Sequence, residues 1–189
     1  MKTIIYSLFV LFTCGNLVLG RPTPAPSKQT VSATSRTARD LLRKSLKQDS
    51  QIKQGVLKNG IHYYFLPKKG ERLSLRLMVN AGAAMEEPHH DGIAHFIEHM
   101  TFNGTTHFKP GTLIQYFQKN GMGFGNDTNA FTSYLHTVYQ IDLPNNLEQN
   151  IREGLTVLYD QGFGCLFLPQ EIDRERGVIL SEMRTRDNA

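Results

Sequence analysis

His95-Phe96-Ile97-Glu98-His99 has the residue types and spacing of a metal-dependent hydrolytic site. On a helix each residue advances by about 100°. His95 and His99 then project from one face, one turn apart, and Glu98 lies to one side of His95 within reach of that face. Two imidazoles can hold a zinc ion, and the carboxylate can take a proton from water that the ion has acidified. The order H-x-x-E-H is the inverse of the commoner zinc-protease helix motif. A catalytic zinc takes three protein ligands and keeps one position open. Downstream, Glu175-Arg176-Gly177-Val178-Ile179-Leu180-Ser181-Glu182 offers two carboxylates seven positions apart, on one face of a helix. One of them can ligate the metal while the other steadies an imidazole or the substrate.

These groups need a scaffold. Residues 56–61 carry Asn59-Gly60, the signal for a type I′ hairpin, and a strand is expected over 61–66. In 73–79, Leu73, Leu75 and Leu77 alternate with Ser74, Arg76 and Met78, the pattern of a half-buried strand. Residues 80–84 read as a small-residue turn, 92–100 as the motif helix, and 112–119 as a second helix stopped by Asn120-Gly121. After a Gly-rich stretch, strands are expected over 130–135 and 137–143, and an amphipathic helix over 147–159. Pro169 opens a last helix that reaches about Arg186. The order predicts an α+β fold, a mostly antiparallel sheet with helices packed on one face.

The motif region, Gly92-Ile93-Ala94-His95-Phe96-Ile97-Glu98-His99-Met100-Thr101-Phe102-Asn103-Gly104-Thr105, together with Asn129-Ala130-Phe131-Thr132-Ser133 and the Glu175-to-Glu182 stretch, resembles the N-terminal domain of the family of pitrilysin, insulin-degrading enzyme and the mitochondrial processing peptidases. The secreted bacterial zinc proteases of that family are the most similar branch, and the resemblance covers most of residues 54–187. It implies a zinc endopeptidase acting on peptides or unfolded polypeptides, with one Zn2+ per chain. It implies His95, His99 and Glu182 as ligands, Glu98 as general base and Glu175 as the supporting acidic residue. Asn129, Ala130, Phe131, Thr132 and Ser133 would form the edge to which an extended substrate adds as a strand.

Family members continue well past the position of Ala189. The resemblance places a substrate-binding Arg and Tyr in a later unit, so a C-terminal half or a partner subunit is expected to complete the enzyme. Two alternatives are a catalytically inactive, peptide-binding subunit of the same family and an enzyme like S-ribosylhomocysteine lyase, which also uses an H-x-x-E-H helix. Retention of Glu98 weighs against the first, and the Glu175-to-Glu182 stretch against the second.

The 189 residues suffice for one domain with a real core. No repeat or nucleic-acid-binding motif stands out, and the net charge of +4 comes with basic residues crowded near the start, read as a solvated helix face over 38–47. Lys2, the apolar run 4–12 and Val18-Leu19-Gly20 have the form of a secretory signal cleaved at Gly20, too short to span a bilayer. Acylation at Cys14 is the alternative processing route. The expected organisation is a signal peptide over 1–20, a linker with a short basic helix over 21–53, and a zinc peptidase domain over 54–189, exported to a periplasmic or secreted location. After cleavage only Cys165 remains, so a core or a metal rather than a disulfide must stabilise the domain. His107 and His136 have no evident partner, His89-His90 read as a polar turn, and Cys165 reads as packing.

Overall fold

Alternation of apolar residues builds the sheet that carries everything else. The computed structural model describes residues 4–12 and 49–187. Six strands, β1 (Ile4–Phe12), β2 (Lys53–Val56), β3 (His62–Lys69), β4 (Leu73–Val79), β5 (Thr128–Thr132) and β6 (Thr137–Leu143), form one sheet in the order β2-β3-β1-β4-β6-β5. The β1–β4 pair is parallel and every other neighbouring pair is antiparallel. Among the described residues four α-helices follow the same chain order: α1 (Ile93–Met100), α2 (Thr112–Lys119), α3 (Glu148–Phe163) and α4 (Pro169–Asp187).

Leu73, Leu75 and Leu77 of β4 and Tyr139, Ile141 and Leu143 of β6 are buried on one face, where Leu113 and Phe117 of α2 and Val157 and Leu158 of α3 join them. Burying each such side chain contributes about 1.5–3 kcal/mol. This face is the core, and it fixes α2 and α3 against the sheet. Three expected elements, 73–79, 112–119 and 137–143, have the observed bounds.

Two expectations change. Asn59-Gly60 does not make a type I′ turn, which needs both central residues left-handed. Here the Gly60 N–H donates to the Leu57 carbonyl and only Gly60 is left-handed, with φ of 86°. That is a right-handed turn followed by a glycine bulge. The strand expected over 130–135 is instead Thr128–Thr132, because Tyr134 and Leu135, apolar but exposed, form the turn into β6.

Residues 4–12, expected as the apolar core of an export signal, run as β1 between β3 and β4. Eight of these nine residues, all but Ser7, are apolar, β-branched or aromatic, a composition that satisfies an h-region and a strand alike. Only Gly70-Glu71-Arg72 joins β3 to β4, yet β1 separates the two strands. The Gly20 cleavage site, Cys14 and residues 21–48 of the expected linker and basic helix lie outside the described residues, and Lys53, expected in the linker, opens β2.

Candidate active site

Helix α1 is only eight residues long and is held from both ends. Such a short helix is marginal alone. At its start the Glu86 carboxylate accepts hydrogen bonds from the backbone N–H groups of Gly92 and Ala94, each 2.8 Å long. This satisfies two otherwise orphaned donors and places negative charge at the positive end of the helix dipole. At its end Met100 is fully buried, and the Thr101 hydroxyl donates to the Glu98 carbonyl.

The clamped helix aims its two imidazoles at one point. Nε2 of His95 and Nε2 of His99 are 3.2 Å apart. Oε2 of Glu182, from α4, lies 3.6 Å from the first and 3.8 Å from the second. Tetrahedral ligands on bonds of about 2.0–2.1 Å stand about 3.3 Å from one another. Two nitrogens and one carboxylate oxygen at these spacings, together on one wall of a cleft of about 720 Å³, fit a zinc ion with one face left open. Among the described residues this is the one cluster of three such groups.

The two downstream carboxylates divide. Glu182 points at both Nε2 atoms, whereas Glu175 contacts the far side of one ring, with Oε1 2.6 Å from Nδ1 of His99. Its other oxygen, Oε2, accepts a hydrogen bond of 2.6 Å from the Asn103 side-chain amide. Glu98 is buried and stands apart from the three converging groups, and its Oε2 accepts a hydrogen bond of 2.6 Å from the Thr132 hydroxyl.

Among the described residues strand β5 is an edge of the sheet, at the opposite side from β2, and it lines the same cleft. Asp142 N–H donates to Asp127 carbonyl and Ser133 N–H to His136 carbonyl, at the two ends of the β5–β6 ladder. Antiparallel ladders alternate, so Asn129 and Phe131 bond to β6, while Ala130 and Thr132 turn their backbone groups outward. The Ala130 N–H is held by Oδ1 of its neighbour Asn129. Ser133, expected in the strand, lies in the turn, with its hydroxyl on the His136 carbonyl and its own carbonyl taken by Ala83.

Other histidines fall outside the cluster. His89 and His90 lie in the exposed loop before α1, and His136 packs its ring against Phe131. His107 does have a partner: its Nδ1 is 2.8 Å from Oδ1 of Asp160, a residue 53 positions away that no local pattern could connect. Burial pushes Asp160 up, but the Thr105 hydroxyl and the His107 ring and N–H outweigh it and hold the carboxyl below its ordinary range. Burial also pushes the Cys165 thiol up, which suits packing and not nucleophilic attack.

Sequence patterns do not reveal Glu86, Asn103 or the Thr132 hydroxyl as parts of the site. Glu86 sits six residues before Gly92, outside the usual capping spacing. Asn103 resembles a glycosylation acceptor in Asn103-Gly104-Thr105, but its amide is committed to Glu175.

The sequence pattern of the insulinase family, peptidase family M16, matches residues 67–189 and so includes all of these groups. The chain belongs to the M16 family. Membership sets aside the lyase alternative. The chain is 37% identical over 151 residues to the probable zinc protease PqqL of Escherichia coli K12, covering 79% of this chain and 16% of that protein. It is 32% identical over 161 residues to the mitochondrial-processing peptidase subunit beta of Dictyostelium discoideum, covering 82% and 33%. The crystal structure of the first half of the periplasmic protease PqqL from Escherichia coli superposes with a TM-score of 0.67 at 36% identity, over 75% of this chain and 31% of that one. The chain thus spans about a sixth of the length of the PqqL proteins it matches. No helix among the described residues of this M16 chain is long and apolar enough to cross a membrane.

Proposed function

We propose that this chain is the zinc-binding N-terminal part of an M16 endopeptidase that hydrolyses peptides or unfolded polypeptides. One observation carries the reading: Nε2 of His95, Nε2 of His99 and Oε2 of Glu182 converge in a cleft that Glu98 also lines and that an edge strand borders. His95, His99 and Glu182 would hold one zinc ion. Bound there, zinc would acidify a water molecule and polarise the scissile carbonyl. Glu98 takes the proton from that water and returns it to the departing amine. Glu175 holds His99 through Nδ1, which keeps Nε2 as the ligating atom. The outward backbone groups of Ala130 and Thr132, with Asn129 and Phe131 beside them, align an extended substrate as an added strand. Ser133 serves the turn that ends this edge.

The relatives' names support a protease, and the name of PqqL as a periplasmic protease supports export through the N-terminal signal. A further half of the protein or a partner subunit would supply the groups that close over the substrate. The test is peptide hydrolysis by the full-length protein carrying this sequence, with and without a chelator, alongside its Glu98→Gln variant. Chelator-sensitive cleavage that vanishes in the variant is the expected result. Cleavage that survives both treatments overturns the reading.

A further inference from the structure

Strand β5 carries both an edge of the sheet and a direct contact to Glu98. Its outward backbone groups include those of Thr132, and the hydroxyl of that same residue donates to Oε2 of Glu98 over 2.6 Å. Behind Thr132, its oxygen lies 3.3 Å from the Thr137 hydroxyl oxygen of β6. The Thr137 hydroxyl in turn donates to the backbone carbonyl of Ala81 over 3.0 Å. Thr137 is buried, and Ala81 belongs to the turn that packs on residues 133–136 through the Ala83 and Ala84 N–H groups. Each hydroxyl spends its single proton outside the pair, Thr132 on Glu98 and Thr137 on Ala81, so the 3.3 Å contact is packing that seats Thr132 against a neighbour fixed to backbone.

A glutamate side chain has three rotatable bonds, and a base aims well only if they are fixed. Neighbouring hydroxyls on adjacent strands have little freedom, because β-branched side chains are stiff at χ1. From this arrangement we infer that Thr132 is a positioning residue for Glu98, and that substrate docking and base aim are coupled through it. The hydroxyl fixes Oε2 and leaves Oε1 for the reacting water. A peptide strand that pairs with the outward groups of Thr132 steadies the same residue and hence the carboxylate. The inference rests on the peptidase reading above.

The experiment compares Thr132→Val, which keeps the shape and β-branching but removes the donor, with Thr132→Ser, which restores the donor. Both are made in the full-length protein with its zinc content measured. A loss of about 10–100-fold in kcat is expected for Thr132→Val, with KM and zinc content unchanged and most of the loss recovered in Thr132→Ser. Unchanged kcat in Thr132→Val, or equal losses in both variants with a raised KM, would overturn the inference, because either outcome reduces Thr132 to a strand residue. The second readout does not need activity. With glutamate side-chain carboxyls labelled with carbon-13, the Glu98 resonance is identified by its disappearance in Glu98→Gln. It should move in Thr132→Val and return towards its original position in Thr132→Ser. If the protein proves to have no peptidase activity, that resonance still decides whether the hydroxyl holds the carboxylate, and a resonance indifferent to Thr132→Val rejects it.

Discussion

Oε1 of Glu175 lies 2.6 Å from Nδ1 of His99, on the side of the ring opposite Nε2. A carboxylate there takes the Nδ1 proton as its hydrogen-bond donor and so selects the tautomer with a bare Nε2. The two downstream glutamates consequently differ in what their removal does. Glu182→Gln should strip most of the zinc, whereas Glu175→Gln should keep it at stoichiometry with affinity lower by about 10–100-fold. Competition against a chelator of known affinity measures both. The opposite order would exchange the two roles.

Replacing both His95 and His99 by alanine should abolish stoichiometric zinc, since two of the three proposed ligands go. Elemental analysis of the purified double variant checks this. Full occupancy would place the metal elsewhere in the chain.

Much of this site is legible in the amino-acid sequence. The His pair and two helical turns of α4 are local patterns, and local periodicity survives folding. The same holds for β4, whose leucines alternate strictly. What stays hidden joins residues far apart along the chain: Thr132 with Glu98, Asn103 with Glu175, His107 with Asp160. Such pairs are set by how β5, α1, α3 and α4 stack, and no spacing rule encodes that. The misplaced end of β5 has a different cause. Tyr134 and Leu135 have strand-like side chains, but the turn exposes them at 78% and 62%.

Asp160 ties α3 to the loop after α1, and its folded carboxyl is held below the ordinary range. A depressed folded pKa contributes stability that is present above the unfolded value of about 3.9 and is lost as pH falls through the folded one. Asp160→Asn should therefore cost about 1–3 kcal/mol at pH 7, by weakening charge-assisted bonds in a buried site. The gap between variant and parent should narrow below about pH 4. Chemical denaturation at pH 7 and at acid pH measures it, and a gap that widens in acid would contradict the assignment.

Gly82 lies where the turn over 80–84 meets the turn over 133–136. A Cβ on it would overlap the Ser133 carbonyl oxygen, a backbone atom that cannot step aside alone. Gly82→Ala should destabilise the domain by about 1–3 kcal/mol. It should also displace Ala81, whose carbonyl accepts from the Thr137 hydroxyl packed behind Thr132. Thermal unfolding gives the first effect, and the Glu98 carboxyl resonance gives the second. An unperturbed melting temperature would show that the two turns are not in fixed contact.

The three residues between β3 and β4 give the chain four steps from Lys69 to Leu73, a reach of about 13–14 Å. Crossing one intervening strand takes only about 9–10 Å. The link is thus long enough to hold a gap one strand wide and short enough to keep its two walls together. The nine residues of β1 that fill this gap are the same nine expected as the apolar core of an export signal, so an exported protein would have to keep them out of the sheet until it had crossed. Without β1, the walls β3 and β4 would face each other with two rows of unpaired backbone groups, a slot that one added strand fills.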